Sequence, residues 1–182
     1  MGNFIGDFVK GKDLHNYEEL ITIGIQVHRE IDFFTDNHEL VRQSTKRLRA
    51  DYRHYSRVIV DMFYDHFLAI HFQDYASISL EAFTNNAYKL LEQNIDLFPP
   101  KAQNMLPYMI RGNWLMNYKH LGGIHRSLQG ISRRTKFDVQ LHLAVQDLQK
   151  HFHLYEAEFK AFFPQIMEHI SVFREDLINS KL

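Results

Sequence analysis

Asp61 and Asp65 are the only formal charges between Val58 and Ile70, the most apolar stretch of the sequence. At helical pitch they lie one turn apart on one face. A lone carboxylate buried there is costly, so it takes up a proton, a cationic partner or a metal ion. His66 follows directly. An earlier segment repeats the pattern, because His28, Asp32 and Asp36 are spaced i, i+4, i+8. Two helices that each offer oxygen and imidazole ligands can meet around a divalent cation. The chain has no cysteine, so no thiolate joins the set. Oxygen and imidazole alone suit Mn²⁺, Mg²⁺ or Fe²⁺, with Zn²⁺ also open. Several carboxylates also suit two bridged metals about 3.5–4 Å apart, an arrangement that activates water against phosphate esters. Asp7, between apolar residues in Gly2-Asn3-Phe4-Ile5-Gly6-Asp7-Phe8, either caps a helix or adds a further acid to such a site. The plainer alternatives are a solvated face for the first row and buried arginine partners for the second.

The elements that must position these residues read as helices. Leu20, Ile23, Val27, Ile31 and Phe34 recur at steps of three and four, which predicts an amphipathic helix over 17–34. His28, Asp32 and Asp36 fall at the border of that stripe. Asn37 is a candidate cap for a second helix into the fifties, and Ser56 for a third over 57–73. Ser79 opens a fourth, with Leu80, Phe83, Ala87, Leu90 and Leu91 inward. Pro99-Pro100 starts another, which Pro107 is expected to interrupt and restart. Gly122-Gly123 marks a turn, and a short helix follows to about Ser132. Leu141, Val145, Leu148, Phe152, Tyr155, Phe159 and Phe162 predict one long helix, ended by Pro164, which starts the last. No period-2 strand, internal repeat or linker is evident. The expectation is an all-α, single-domain helical bundle over 1–182.

Composition bounds the partners. The chain is 45% hydrophobic with a net charge of −1, so global charge points to neither nucleic acid nor membrane. Its apolar runs fall far short of the roughly 18 residues of a membrane span, and no secretory segment follows Met1. A cytoplasmic protein is expected. Two basic clusters stand out locally. Arg42, Lys46, Arg47, Arg49, Arg53 and Arg57 form a row on the second helix, and Arg126, Arg133, Arg134 and Lys136 form the other. Each is an ordinary charged surface or a binding face. Adjacent Arg133 and Arg134 suit a phosphate, since guanidinium matches its oxygens in a fork. A basic face on a near-neutral protein suits an acidic protein partner. Trp114 and Tyr118, one turn apart, read as core.

Several strings together resemble the acyl carrier protein phosphodiesterase family. They are Gly2-Asn3-Phe4-Ile5-Gly6-Asp7-Phe8-Val9-Lys10-Gly11, then His28-Arg29-x2-Asp32-x2-Thr35-Asp36, then Asp61-x3-Asp65-His66-Phe67-Leu68. Trp114-x3-Tyr118, Leu128-x-Gly130-x-Ser132-Arg133-Arg134 and Phe159-x2-Phe162-Phe163-Pro164 follow in order. The resemblance implies an HD-like helical fold, divergent from the HD-type metal phosphohydrolases. It implies a hydrolase that removes the 4′-phosphopantetheine arm from holo-acyl carrier protein, with Mn²⁺ favoured, a step connected with fatty acid and lipid metabolism. Family members carry a stretch resembling Met-Asn-Phe-Leu-Ala-His before the Gly-Asn motif. This sequence begins Met1-Gly2-Asn3, so a histidine ligand is expected to be missing from its site.

The site expected on these grounds has Asp7, His28, Asp32, Asp61 and Asp65 as metal ligands. His66 or Asp36 is the orienting group or general acid, and Arg133, Arg134 and Arg29 hold phosphate. Two other readings stay open. One is an HD-type phosphohydrolase acting on a nucleotide or another small diester. The other is a non-catalytic helical module that docks an acidic protein through its basic face.

Overall fold

Glycine sets how the first helix meets the second in this computed structural model, which describes residues 1–135 and 139–180. Helix α1 (Gly2–Ile5) runs into a short 3₁₀ turn, Gly6–Phe8. It lies on α2 (Glu19–Asn37) so closely that a Cβ on Gly2 would overlap the Ile21 carbonyl oxygen. A Cβ on Gly24 would sit 2.9 Å from the Gly2 Cα. Only glycine permits that backbone approach. Ile5 and Val9 then bury against Ile21 and Ile25, with Phe98, Ala102 and Leu106 completing the core. Phe4 packs on Phe98 with ring centroids 5.5 Å apart.

Among the described residues every regular element is helical, as expected for an all-α chain. After α2 come α3 (Glu39–Tyr52), α4 (Ser56–Ile70), α5 (Phe72–Tyr75), α6 (Leu80–Gln93), α7 (Pro100–Arg111), α8 (Trp114–Asn117), α9 (Leu121–Ser132), α10 (Ala144–Lys150) and α11 (Phe152–Asn179). The chain divides into two compact units. One comprises Met1–Asp36, Asn85–Arg111 and Phe163–Leu182, and the other Asn37–Thr84 and Gly112–Phe162. The first unit holds the core just described. In the second, α4 packs on α3 and α9. Phe63 meets Tyr155 edge-on at 5.0 Å, and Phe67 stacks on Phe159 at 5.8 Å.

Several local expectations are corrected. His38, not Asn37, caps α3, its Nδ1 accepting from the Leu40 N–H at 3.3 Å. Ser56 lies inside α4, and its hydroxyl donates to the Arg53 carbonyl. Ser79 does cap α6, accepting from the Ala82 N–H. The buried face of α6 is Thr84, Tyr88 and Leu91, whereas Phe83 and Leu90 are exposed. In α2 the buried residues are Ile21 and Ile25 on one side and Ile23 on the other, and Leu20 is 80% exposed. Pro107 and Pro164 sit within α7 and α11 rather than ending helices. Both prolines are exposed, so water can reach the carbonyl that loses its donor. Buried neighbours, Leu106 and Met109 in one helix and Phe162 and Ile166 in the other, carry the helix past them. Gly122 and Gly123 lie in the first turn of α9, not in a loop. The long helix expected from Leu141 breaks at His151, whose carbonyl accepts from the Leu154 and Tyr155 N–H groups.

Candidate metal centre

Residues 21, 25, 28 and 32 follow steps of four, three and four, so His28 and Asp32 share a face of α2 with the buried Ile21 and Ile25. That face meets the N-terminal segment. Gly6 makes room for the imidazole, since a Cβ there would overlap the His28 ring. The 3₁₀ turn then delivers Asp7. Its Oδ1 stands 3.1 Å from His28 Nε2, and Asp32 Oδ2 stands 3.3 Å from the same nitrogen. Among the described residues, Asp7, His28 and Asp32 are the group whose ligand atoms fall together, all within 4.8 Å of one another.

The imidazole is oriented from behind. His28 Nδ1 donates to Asn3 Oδ1 at 3.2 Å. That bond fixes the tautomer and leaves the Nε2 lone pair between the two carboxylates. Two carboxylate oxygens and one oriented imidazole nitrogen fit a hard or borderline divalent cation. Although Asp32 is largely exposed, partial desolvation holds its carboxyl above the usual range, an effect opposed by His28 and reinforced by the charges of Asp7 and Asp36. Crowded acids of this kind gain most from a cation. Arg29, on the next position of α2, donates to the Val9 carbonyl at 2.8 Å and so ties the N-terminal segment to the helix.

The remaining expected residues lie as follows. Asp36 is exposed one turn beyond Asp32. Asp61 and Asp65 belong to α4 in the second unit, where Asp61 is exposed and Asp65 half-buried. Burial, then the neighbouring charge of Asp61, pushes the Asp65 carboxyl up to about 7. His66 is buried, and its Nδ1 donates to the Tyr118 carbonyl at 2.7 Å. Desolvation lowers its pKa, against the pull of that bond. Arg133 and Arg134 are exposed at the end of α9, and Lys136 lies outside the described residues.

The basic row resolves into two kinds of residue. Arg47 forks onto Glu158, with Nη1 2.9 Å from Oε2, and its guanidinium lies over the Tyr155 ring. It is an internal partner, not a docking charge. Arg49, Arg53 and Arg57 line an open concavity of about 540 Å³ with Thr45 and His54. Only Arg49 of these three is on α3, because Arg53 follows that helix with φ 50° and Arg57 lies in the first turn of α4.

Asn3 and Gly6 carry the site yet escaped the spacing argument. Their mark in the sequence is the Gly-Asn-x2-Gly-Asp order, which places an amide and an acid one turn apart.

Comparison with known proteins accords with this geometry. The model of the family described as acyl carrier protein phosphodiesterase matches residues 1–166. A protein of that name from Serratia proteamaculans is 32% identical over 169 residues, covering 92% of this chain and 88% of its own. One from Photorhabdus laumondii is also 32% identical, covering 92% of this chain and 85% of its own. One from Escherichia coli is 31% identical, covering 93% and 89%. No solved structure matches the chain. No helix among the described residues is long and apolar enough to cross a membrane. With a matching model over nine-tenths of its length and relatives aligned along most of theirs, the chain belongs to the acyl carrier protein phosphodiesterase family.

Proposed function

We propose that this chain is a metal-dependent phosphodiesterase that hydrolyses the 4′-phosphopantetheine arm from holo-acyl carrier protein. The observation that carries the reading is the Asp7–His28–Asp32 group, with His28 oriented by Asn3, in a chain of this family. Asp7 Oδ1, His28 Nε2 and Asp32 Oδ2 would hold a divalent cation, Mn²⁺ by the family resemblance. Such a cation supplies Lewis acidity toward phosphoryl oxygens and toward water. Asp61 and Asp65 stay candidate carboxylate ligands on their helical spacing.

In the reaction, a water oxygen bonds to phosphorus and the bond from phosphorus to the serine oxygen breaks. The serine oxygen leaves with a proton, giving apo-carrier protein and phosphopantetheine. Asp36, exposed next to the cluster, is the proposed proton carrier. His66 acts as a positioning residue through the Tyr118 carbonyl. Arg29, Arg133 and Arg134 are proposed phosphate ligands. Acyl carrier proteins are acidic, so Arg49, Arg53 and Arg57 suit their docking, an encounter steered by charge. We treat 1–182 as one functional domain, acting in the cytoplasm.

Mass spectrometry of holo-acyl carrier protein incubated with the chain and Mn²⁺ tests this. The expected result is loss of the mass of one phosphopantetheine group, abolished by chelator. An unchanged substrate mass, with Mn²⁺ bound stoichiometrically to the chain, would overturn it. Cleavage of a generic diester without cleavage of the carrier protein would point to another phosphohydrolase.

A further inference from the structure

A second constellation lies apart in sequence from the metal ligands, wholly within the second unit. Trp114, Tyr118, Met62, Arg126, Gly130 and Arg134 wall much of a cavity of about 300 Å³. That volume is at the small end of sites that hold small molecules. Asn113 takes the left-handed conformation at φ 43° where α8 begins. Asn117 then braces the wall. Its Nδ2 donates to the Gly112 carbonyl at 2.7 Å, and its Oδ1 accepts from Arg126 Nη2 at 3.2 Å. Arg134 donates from Nε to the Gly130 carbonyl at 3.2 Å, which seats its guanidinium on the last turn of α9. The buried His66 fixes the Tyr118 backbone from inside.

Two glycines of α9 line this cavity for different reasons. Gly123 is required by packing, since a Cβ there would overlap the Asn117 carbonyl oxygen. Gly130 is required by neither packing nor backbone. A Cβ there would meet nothing within 4 Å, and no described glycine has a positive φ. Glycine within a helix costs stability relative to alanine. What Gly130 does is keep the cavity wall open beside two guanidinium groups and two aromatic rings.

We propose that this cavity seats the phosphopantetheine arm. Arg126 joins Arg134, one of the phosphate ligands proposed above, on the phosphate, and the amide chain runs along Trp114 and Met62 over Gly130. This rests on the function proposed above and names where its substrate's arm binds. The charge fits, because paired guanidiniums match a phosphate in fork geometry. A flexible chain of amides and methylenes suits walls that are mostly apolar with a few convergent polar groups.

Trp114 is the only tryptophan in the chain, so its fluorescence reports on this cavity alone. The test titrates the full chain, in chelator, with 4′-phosphopantetheine, with pantetheine lacking the phosphate, and with inorganic phosphate. A saturable change with the phosphorylated arm is expected, weaker for either fragment. Gly130→Leu should abolish it. Arg126→Gln and Arg134→Gln should each weaken it about tenfold or more, the loss of a charge-assisted hydrogen bond. Gly130→Ala should fold and melt about 2 °C higher, which shows that the position tolerates a side chain. If Gly130→Leu does not fold, the two arginine variants decide. Wild-type affinity in the leucine variant or in both arginine variants would overturn the proposal. So would calorimetric binding with silent tryptophan emission, or equal affinity for inorganic phosphate and the whole arm. Cleavage of holo-carrier protein unaffected by Gly130→Leu would remove the cavity and leave the function standing. Arm binding without any cleavage would do the reverse.

Discussion

The acid rows of α2 and α4 have the same spacing and opposite surroundings. On α2, Asp32 is exposed, and an acid from another segment, Asp7, comes to the same imidazole nitrogen. On α4, Asp65 is half-buried beside Asp61, and the adjacent His66 spends its Nδ1–H on a backbone carbonyl inside the core. Periodicity puts groups on a face. What lies across that face decides whether a further acid from another segment joins them. For α2 the facing partner is a glycine-rich segment that brings backbone, amide and acid within reach. On α4 the residue that follows the acids, His66, lies between the rings of Phe67 in its own helix and Phe152.

The sharpest way to break the contrast is His28→Ala. We expect loss of measurable Mn²⁺ binding by calorimetric titration, with the fold retained by circular dichroism. Wild-type affinity would show that the α2 group is a surface ion-pair cluster instead. Next in size is Asn3→Ala, which removes only the orienting acceptor. Outer partners of metal-bound histidines typically contribute 10–100-fold in affinity, so a loss of about that order is expected. Gly6→Ala should act in the same direction by pushing the ring aside. Gly11→Ala is its control, because a Cβ there meets nothing within 4 Å.

The α4 row should instead show itself in stability against pH. Asp65 has its folded pKa raised from 3.8 to about 7. The folded state therefore binds more protons than the unfolded state between those values, and stability falls as pH rises through that window. In chelator, Asp65→Asn should match the wild type near pH 4 and exceed it at pH 8, as read by denaturant melts. A variant less stable than wild type at pH 8 would mean that the carboxylate is satisfied as an ion. The smallest effect belongs to Asp61→Asn. It removes the lesser of the two causes acting on Asp65, so it should move the Asp65 titration downward only in part, as followed by carboxyl NMR shifts.

The helices were legible because their apolar steps are regular, and His28-x3-Asp32 was legible because one turn of helix fixes it. Asp7 was legible as an acid with two possible uses, and the structure places it at the imidazole. Asn3 was not legible. Its part depends on two backbones touching at Gly2 and Gly24, a tertiary fact with no period in the sequence. The prolines misled for a related reason. Pro107 and Pro164 lose one hydrogen bond on a solvated side, and burial of the residues around them outweighs that loss. Arg47 looked like surface charge beside Arg49 because Glu158, its partner, lies far along the chain. Trp114 read as core, and instead lines a half-open cavity together with Gly130.

The Asp7–His28 contact closes a stretch of only 21 residues. A loop that short loses little entropy on closing, and its cost grows only slowly with length. A cation held by Asp7, His28 and Asp32, as proposed above, would thus also be a removable cross-link between the first turns of the chain and α2. Without the ion, residues 1–9 would keep their apolar contacts, their glycine contacts and the bonds of Asn3 to His28 and of Val9 to Arg29, but lose the clasp at Asp7. Amide hydrogen exchange in that segment then becomes a gauge of metal occupancy, independent of any substrate.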